Sequence, residues 1–382
     1  MRIYLDHNAT TPVRPEVADA MDVVQRSLFG NASSVHEEGA AAKAECDRAR
    51  ARVASLLRVE PADVLFTGGA TEANNTALLG LLAQRTEGPG HLVTTNVEHP
   101  SVDAPLEWLE RAGWCVTRVP VDAEGRVEED AVVAAITPET ALVSVIWANN
   151  ETGVLQPVEA IAAAVRDHGV PFHSDATQAV GKVSVDLSSV PVDLLSLSAH
   201  KLNGPKGVGC LIARGGIAFE PILLGGPQER RRRGGTENVA GIAGLGVACE
   251  LAEHELPERS SRYRALRDRL WEGLQAKVPG IRRNGSAVFV LPNSLNVEFE
   301  GAAGEILLQA LDLEGIAVSS GAACASGTIE PSQVLLAMGR SPEAARGSLR
   351  MSVGYRVDEV QIDQLLAVLP ELVERARRAS TV

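Results

Sequence analysis

The sequence predicts an α/β fold: a large domain on a mostly parallel sheet, joined to a smaller α+β domain. Three observations lead there. Between residues 60 and 200, short apolar segments alternate with helical patterns. Polar residues gather where those apolar segments end. After about His254 the texture shifts to a charged helical stretch followed by alternating, strand-like runs. A length of 382 residues suits two or three domains with sizeable cores.

Residues 15–59 read as helical, with an Ala-rich period from 39 to 57. Residues 63–67 read as a strand, and Gly68-Gly69-Ala70-Thr71-Glu72 opens a helix through Leu82. Further strands are expected at 91–95, ending in Glu98-His99-Pro100, and at 140–148, ending in Asn149-Asn150-Glu151-Thr152-Gly153. Two more, at 170–175 and 192–198, end at Asp175 and at Ala199-His200-Lys201. Parallel sheets bind ligands at the carboxyl ends of their strands. Thr71, His99, Asn150, Asp175, Ser198, His200 and Lys201 are therefore expected to converge. Beyond residue 256 come a helix to 278, strands at 288–291 and 294–299, a short helix at 304–313 and a strand at 316–318. The expected division is a large domain, 13–255, and a small one formed by 1–12 with 256–382.

Composition excludes several classes. A hydrophobic content of 45% with 22% charge is that of a globular enzyme, which argues against a disordered or coiled-coil chain. Residues 239–249 are apolar but fall short of the roughly 20 helical residues that cross a bilayer. The N-terminus lacks an apolar signal core, so a cytoplasmic protein is expected, with no membrane association. A net charge of −13 argues against broad nucleic-acid binding, and Arg230-Arg231-Arg232-Arg233 is a basic island too short to reverse that. Cys46, Cys115, Cys210, Cys249 and Cys324 are scattered with no CxxC pair, which argues against a disulfide framework or a zinc site.

Only five of the 36 basic residues are lysine, and three of those fall within 182–206. Where lysine is this scarce, chemistry that guanidinium cannot perform becomes the natural reading, because an amine can deprotonate and add to a carbonyl. At a strand end, Lys201 fits a Schiff-base lysine; the alternative is a solvated loop residue. Asp175 fits an acid that keeps a pyridinium nitrogen protonated, and otherwise forms a turn. Gly68 to Glu72 suits a phosphate at a helix start, or a simple N-cap by Thr71. It lacks the glycine patterns of nucleoside-triphosphate and dinucleotide sites. His99 could stack on a flat cofactor or be an ordinary loop residue. Cys324, among small residues bounded by Gly321 and Gly327, reads as a reachable thiol on a loop that can move, whereas Cys46, Cys210 and Cys249 read as core. Arg350 could clamp a carboxylate or form a surface ion pair.

Taken in order, these motifs resemble the cysteine desulfurases of the class V aminotransferase group. They include residues 4–12 (YLDHNATTP), Thr67-Gly68-Gly69-Ala70-Thr71-Glu72, Glu98-His99, Asn149 to Gly153, Asp175-Ala176-Thr177-Gln178, His200-Lys201, Arg233-Gly234-Gly235-Thr236 and Ser319 to Cys324. The resemblance covers essentially the whole chain. It implies the pyridoxal-phosphate-dependent transferase fold type I, similar to aspartate aminotransferase, and a homodimer holding pyridoxal 5'-phosphate. Lys201 would carry the cofactor, Asp175 would pair with the ring nitrogen, Gln178 would bond the ring hydroxyl and His99 would stack and move protons. Thr71, Ser198 and His200 would hold the phosphate, joined by Thr236 from the neighbouring subunit. Asn150 and Arg350, with Asn8 nearby, would orient the carboxylate of L-cysteine. Cys324, in a segment similar to the long-loop branch, would take the sulfur as a persulfide and pass it to an acceptor protein for iron–sulfur cluster assembly or thiolation. The rival readings are a selenocysteine lyase or other class V transaminase and, in another class, a non-catalytic sulfur-relay dimer.

Overall fold

The computed structural model describes residues 2–86, 88–320 and 330–380. β1 (Ile3–Tyr4) lies apart from the central sheet. That sheet is built from β2 (Val64–Thr67), β3 (His91–Thr95), β4 (Cys115–Val119), β5 (Thr140–Ser144), β6 (Phe172–Asp175), β7 (Leu194–Ser198) and β8 (Gly209–Ala213). The order across it is β2-β8-β7-β6-β5-β3-β4. Strands β4, β3, β5, β6 and β7 are mutually parallel, and β8 runs antiparallel to both its neighbours. Every residue of β2, β3, β6, β7 and β8 is buried. Burial on both faces is why these strands read as near-continuous apolar runs instead of alternating ones. Where polar residues intrude they pair across strands: the His173 ring meets Ser144 Oγ at 2.8 Å and Ser196 Oγ at 3.2 Å.

One side of the sheet carries the helices Pro15–Ser27, Glu37–Leu57 and Val239–Lys277. The last corrects an expectation. No helix begins at residue 256; a single 39-residue helix runs through that position, with Pro257 inside it. The change of composition marks a change of neighbour, not a break. In the first half Gly246 lies so close to Ala49 that a Cβ there would sit 2.7 Å from its Cα, and a Cβ on Gly244 would meet Met21 at 2.8 Å. Ile242, Leu245 and Ala252 belong to the hydrophobic cluster of the large sheet, while Tyr263, Leu270 and Leu274 belong to a second cluster.

That second cluster packs around β9 (Ile281–Asn284), β10 (Ser294–Phe299) and β12 (Ser348–Ser352), an antiparallel sheet ordered β12-β10-β9. β1 pairs in parallel with β11 (Ile316–Ala317), and the helix Glu359–Ser380 covers the cluster. Residues 288–291 form no ladder strand, contrary to expectation. Val290 makes an isolated bridge to Val154, and Leu291 N–H donates to Gly153 O at 2.8 Å. Their apolar pattern fastens the loop after β5. Among the described residues, no helix is long and apolar enough to cross a membrane.

Candidate active site

The parallel strands and the start of β8 deliver their ends to one edge of the sheet, where a cavity of about 910 Å³ opens. Thr71, His99, Asn150, Asp175, Gln178, Ser198, His200 and Lys201 all line it, as the strand-end pattern leads one to expect. Glycine makes the close approach possible: a Cβ on Gly209, at the start of β8, would sit 2.8 Å from Gly69 Cα and 2.5 Å from Leu197 O. Gly69 itself has φ +152° and caps the helix Ala70–Asn75, so Thr71 lies inside that helix and is not its N-cap. The helix continues as a π turn over Thr76–Gly80.

Asp175, the last residue of β6, is buried. Its Oδ1 accepts the Thr177 N–H at 2.9 Å and its Oδ2 accepts Asn74 Nδ2 at 2.8 Å. Asn74 Nδ2 also donates to Ser101 Oγ at 2.8 Å, so the Ser101 hydroxyl must aim its own proton elsewhere. It donates to His99 Nδ1 at 2.7 Å. His99 caps the helix Pro100–Arg111, with Pro100 at its first position, and Nδ1 also accepts the Ser101 N–H at 3.1 Å. Two donors on Nδ1 fix the neutral ring with its proton on Nε2. Burial, aided by Lys201 and opposed by Asp175, lowers the His99 pKa. One chain of hydrogen bonds thus links the acid and the imidazole. Pattern reading missed Asn74 and Ser101; the only signal was the pair Asn74-Asn75 inside a helix, a placement asparagine does not favour.

Lys201 sits in the tight turn Ala199–Lys201 after β7. Its Nζ donates to the carbonyls of Asn8 at 2.6 Å and Ala9 at 2.8 Å. Burial, reinforced by Arg350 and opposed by Asp175 and Asp6, brings its pKa down to about 8. A neutral, nucleophilic amine is therefore accessible near neutral pH. His200 is lowered to about 4 by burial and by the nearby Lys201, Lys206 and Lys182, so it lies there as a neutral ring. Lys206 also lines the cavity and adds a cation that the motif reading did not assign.

Arg350, on the small sheet, and Asn8 are not among the residues that line the cavity. Arg350, on β12, is buried, with Nη1 donating to Asn150 O at 3.0 Å and Nη2 to Asp6 Oδ1 at 2.6 Å. The alternative of a surface ion pair is thereby corrected, since the pair it forms is internal. Asn8 contributes through its backbone carbonyl, while its side chain is spent on Ser294, Asn150 and Asn293. Thr236 is exposed and lies beside a separate, smaller hollow with Thr67, Gly68 and Arg233, not in this cavity. The basic island is tied down locally: Arg233 pairs with Glu72 at 2.9 Å, and Arg230 and Arg232 donate to Ala62 O. Cys324 lies outside the described residues. Cys46, Cys210 and Cys249 are buried, and burial raises their thiol pKa values.

The model of the aminotransferase class-V family matches residues 3–365. A cysteine desulfurase of Gluconacetobacter diazotrophicus is 45% identical over 380 residues, covering 99% of this chain and 95% of that protein. The cysteine desulfurase IscS of Clostridium botulinum is 42% identical over 381 residues, covering 99% and 96%. A solved structure described as a NifS-like protein superposes with a TM-score of 0.93 at 36% identity, covering 98% of this chain and 100% of that one. The mixed, mostly parallel sheet is accordingly that of the type I pyridoxal-phosphate transferases. On the strength of a family match and relatives that both run nearly end to end, the chain belongs to the aminotransferase class-V family and, within it, stands with the cysteine desulfurases.

Proposed function

We propose that this chain converts L-cysteine to L-alanine with pyridoxal 5'-phosphate as cofactor, moving the sulfur onto Cys324. One observation carries the reading: a half-buried amine whose pKa is brought down to about 8, Lys201, and a buried carboxylate, Asp175, line the same cavity. The donor set suits that cofactor. Thr177 Oγ1, on the cavity wall, is buried with no partner, and the turn at Gly69 leaves room that a side chain would fill.

When bound, the cofactor supplies an aldehyde that joins an amine and a ring that accepts an electron pair released at Cα. Lys201 would hold it covalently, and its amine, when free, would take the Cα proton. Asp175, oriented by Asn74 and the Thr177 amide, would keep a proton on the ring nitrogen. Thr71, Ser198 and His200 would hold the phosphate, and Gln178 would donate to the ring oxygen. His99 would stack on the ring, with its Nε2 proton available as a donor. Arg350 and Asn150 orient the substrate carboxylate, with Asn8 nearby. Cys324 thiolate attacks the substrate sulfur; the S–Cβ bond breaks, the carbon takes up protons to become alanine, and Cys324 is left as a persulfide. An acceptor protein then takes that sulfur. The functional unit is a cytoplasmic homodimer in which Thr236 serves the neighbouring subunit's cavity, and each chain divides into domains 13–255 and 1–12 with 256–382.

The test combines spectroscopy with product analysis. The purified protein is expected to be yellow, and Lys201→Ala to abolish that colour. Cys324→Ser is expected to keep the colour and bind cysteine yet release almost no sulfide, with no persulfide mass on the chain. A colourless wild type that cannot be reconstituted would end the cofactor assignment, and undiminished sulfide release by Cys324→Ser would remove Cys324 from its role.

A further inference from the structure

Of the three lysines clustered within 182–206, Lys201 and Lys206 line the cavity, and Lys182 has no place in the chemistry above. Lys182 is 4% exposed, and a lysine so buried is normally matched by a carboxylate. Here the charged groups acting on it, Lys201, Arg350 and Arg259, are all cations. His7 and His200 feel its charge in turn. Burial first, and then those cations, press its pKa well below the usual lysine value. Nζ has two acceptors, both on one residue: the Gln178 carbonyl at 3.0 Å and Gln178 Oε1 at 2.8 Å.

The second contact decides which way the Gln178 amide faces. With Oε1 held by Lys182, Nε2 donates to the Asn8 carbonyl at 2.9 Å. That carbonyl also receives Lys201 Nζ. A flipped amide would set its oxygen against the Asn8 carbonyl oxygen and its NH₂ against the lysine donors, losing both bonds and burying two unmatched groups. Gln178 lines the cavity; Nε2 keeps a second hydrogen, while Oε1 is engaged on the Lys182 side with one lone pair left over.

We propose that Lys182 is a positioning residue, locking the Gln178 amide so that the cavity meets an N–H donor and not the amide oxygen. This makes that part of the wall selective for an acceptor oxygen, which on the pyridoxal-phosphate reading is the phenolic oxygen of the ring. The inference therefore rests on that reading and deepens it.

A donor to the phenolic oxygen favours its deprotonated form and draws charge away from the nitrogen joining Lys201 to the cofactor. Losing the donor raises the pH at which that nitrogen gives up its proton, read as the midpoint of the visible absorbance change in the cofactor-loaded dimer. Lys182→Met and Gln178→Ala are each expected to raise the midpoint by about 0.5–1 pH unit, the size of one hydrogen bond. The double variant should rise no further than the larger single one, because both act through the same amide. An unchanged midpoint in Lys182→Met beside a shifted Gln178→Ala overturns the proposal, as do fully additive shifts. Should Lys182→Met fail to fold, neutron diffraction from the cofactor-loaded wild type decides the matter. Deuterium on the cavity-facing atom of Gln178 supports the lock; an oxygen there overturns it. A wild type with no visible band would instead sink the cofactor assignment, a distinct outcome.

Discussion

The central sheet and the small sheet treat the polar groups near the cavity differently. On the central-sheet side, bonding capacity is left over: Thr177 Oγ1 has no partner, and Asp175 accepts two N–H donors with lone pairs to spare. On the small-sheet side more of it is spent, although Arg350 Nε and Asn293 Oδ1 are buried with no partner. Two guanidinium nitrogens of Arg350 are bonded to Asp6 and Asn150, and both polar atoms of the Asn8 side chain are bonded to other residues. On the proposed function, the difference would separate two jobs. A resident group needs a face that waits for it, whereas a substrate that comes and goes can be met by groups that trade a protein partner for it.

The largest expected effect tests the waiting face. Asp175→Asn sets an NH₂ against donors already aimed at the carboxylate and removes the charge, so kcat for alanine formation should fall about 10²–10³-fold with KM little changed. Next, Arg350→Lys keeps a charge but loses the planar fork. KM for L-cysteine should rise about tenfold, with a smaller change in kcat. If this second variant damages kcat as severely as the first, the two faces are not doing separate jobs. Ser101→Ala removes the hydroxyl that donates to His99 Nδ1, making that ring easier to protonate. The acid limb of kcat/KM should move up by about half a pH unit, with the alkaline limb fixed.

The smallest effect concerns stability around the same edge. Glu98 is buried beside His99, and burial raises its pKa to about 8. The native chain then keeps a proton that the unfolded chain has released, so stability falls as pH rises from about 4.5 towards 8. His7, His173 and His200, each lowered to about 4 chiefly by burial, act in the other direction, with stability falling as pH drops from about 6.5 towards 4. Glu98→Gln should remove the decline this group contributes between about pH 4.5 and 8 in a urea-midpoint profile and leave the profile below about pH 4.5 unchanged.

What the sequence made legible was the part governed by local pattern. Apolar runs located β2, β3, β5, β6 and β7, and the direction of a parallel sheet then brought His99, Asp175 and Lys201 together. Asn74 and Ser101 were not legible because their importance comes from meeting across 27 residues of chain, and no pattern within a single helix encodes that meeting. The long helix was misread at residue 256 because small residues on its first half answer to the packing of a neighbouring helix, which local composition cannot distinguish from a boundary. Thr236, exposed and outside the lining of its own chain's cavity, owed its assignment to the resemblance alone.

The Asn8 carbonyl, shared by Lys201 and Gln178, has a dynamic consequence. An acceptor that held a single donor would be stranded each time the amine departed, and stranding a buried oxygen costs about 1–3 kcal/mol. With the Gln178 amide still in place, the oxygen stays satisfied. On the proposed reading, Lys201 can leave and regain this contact without stranding the Asn8 oxygen.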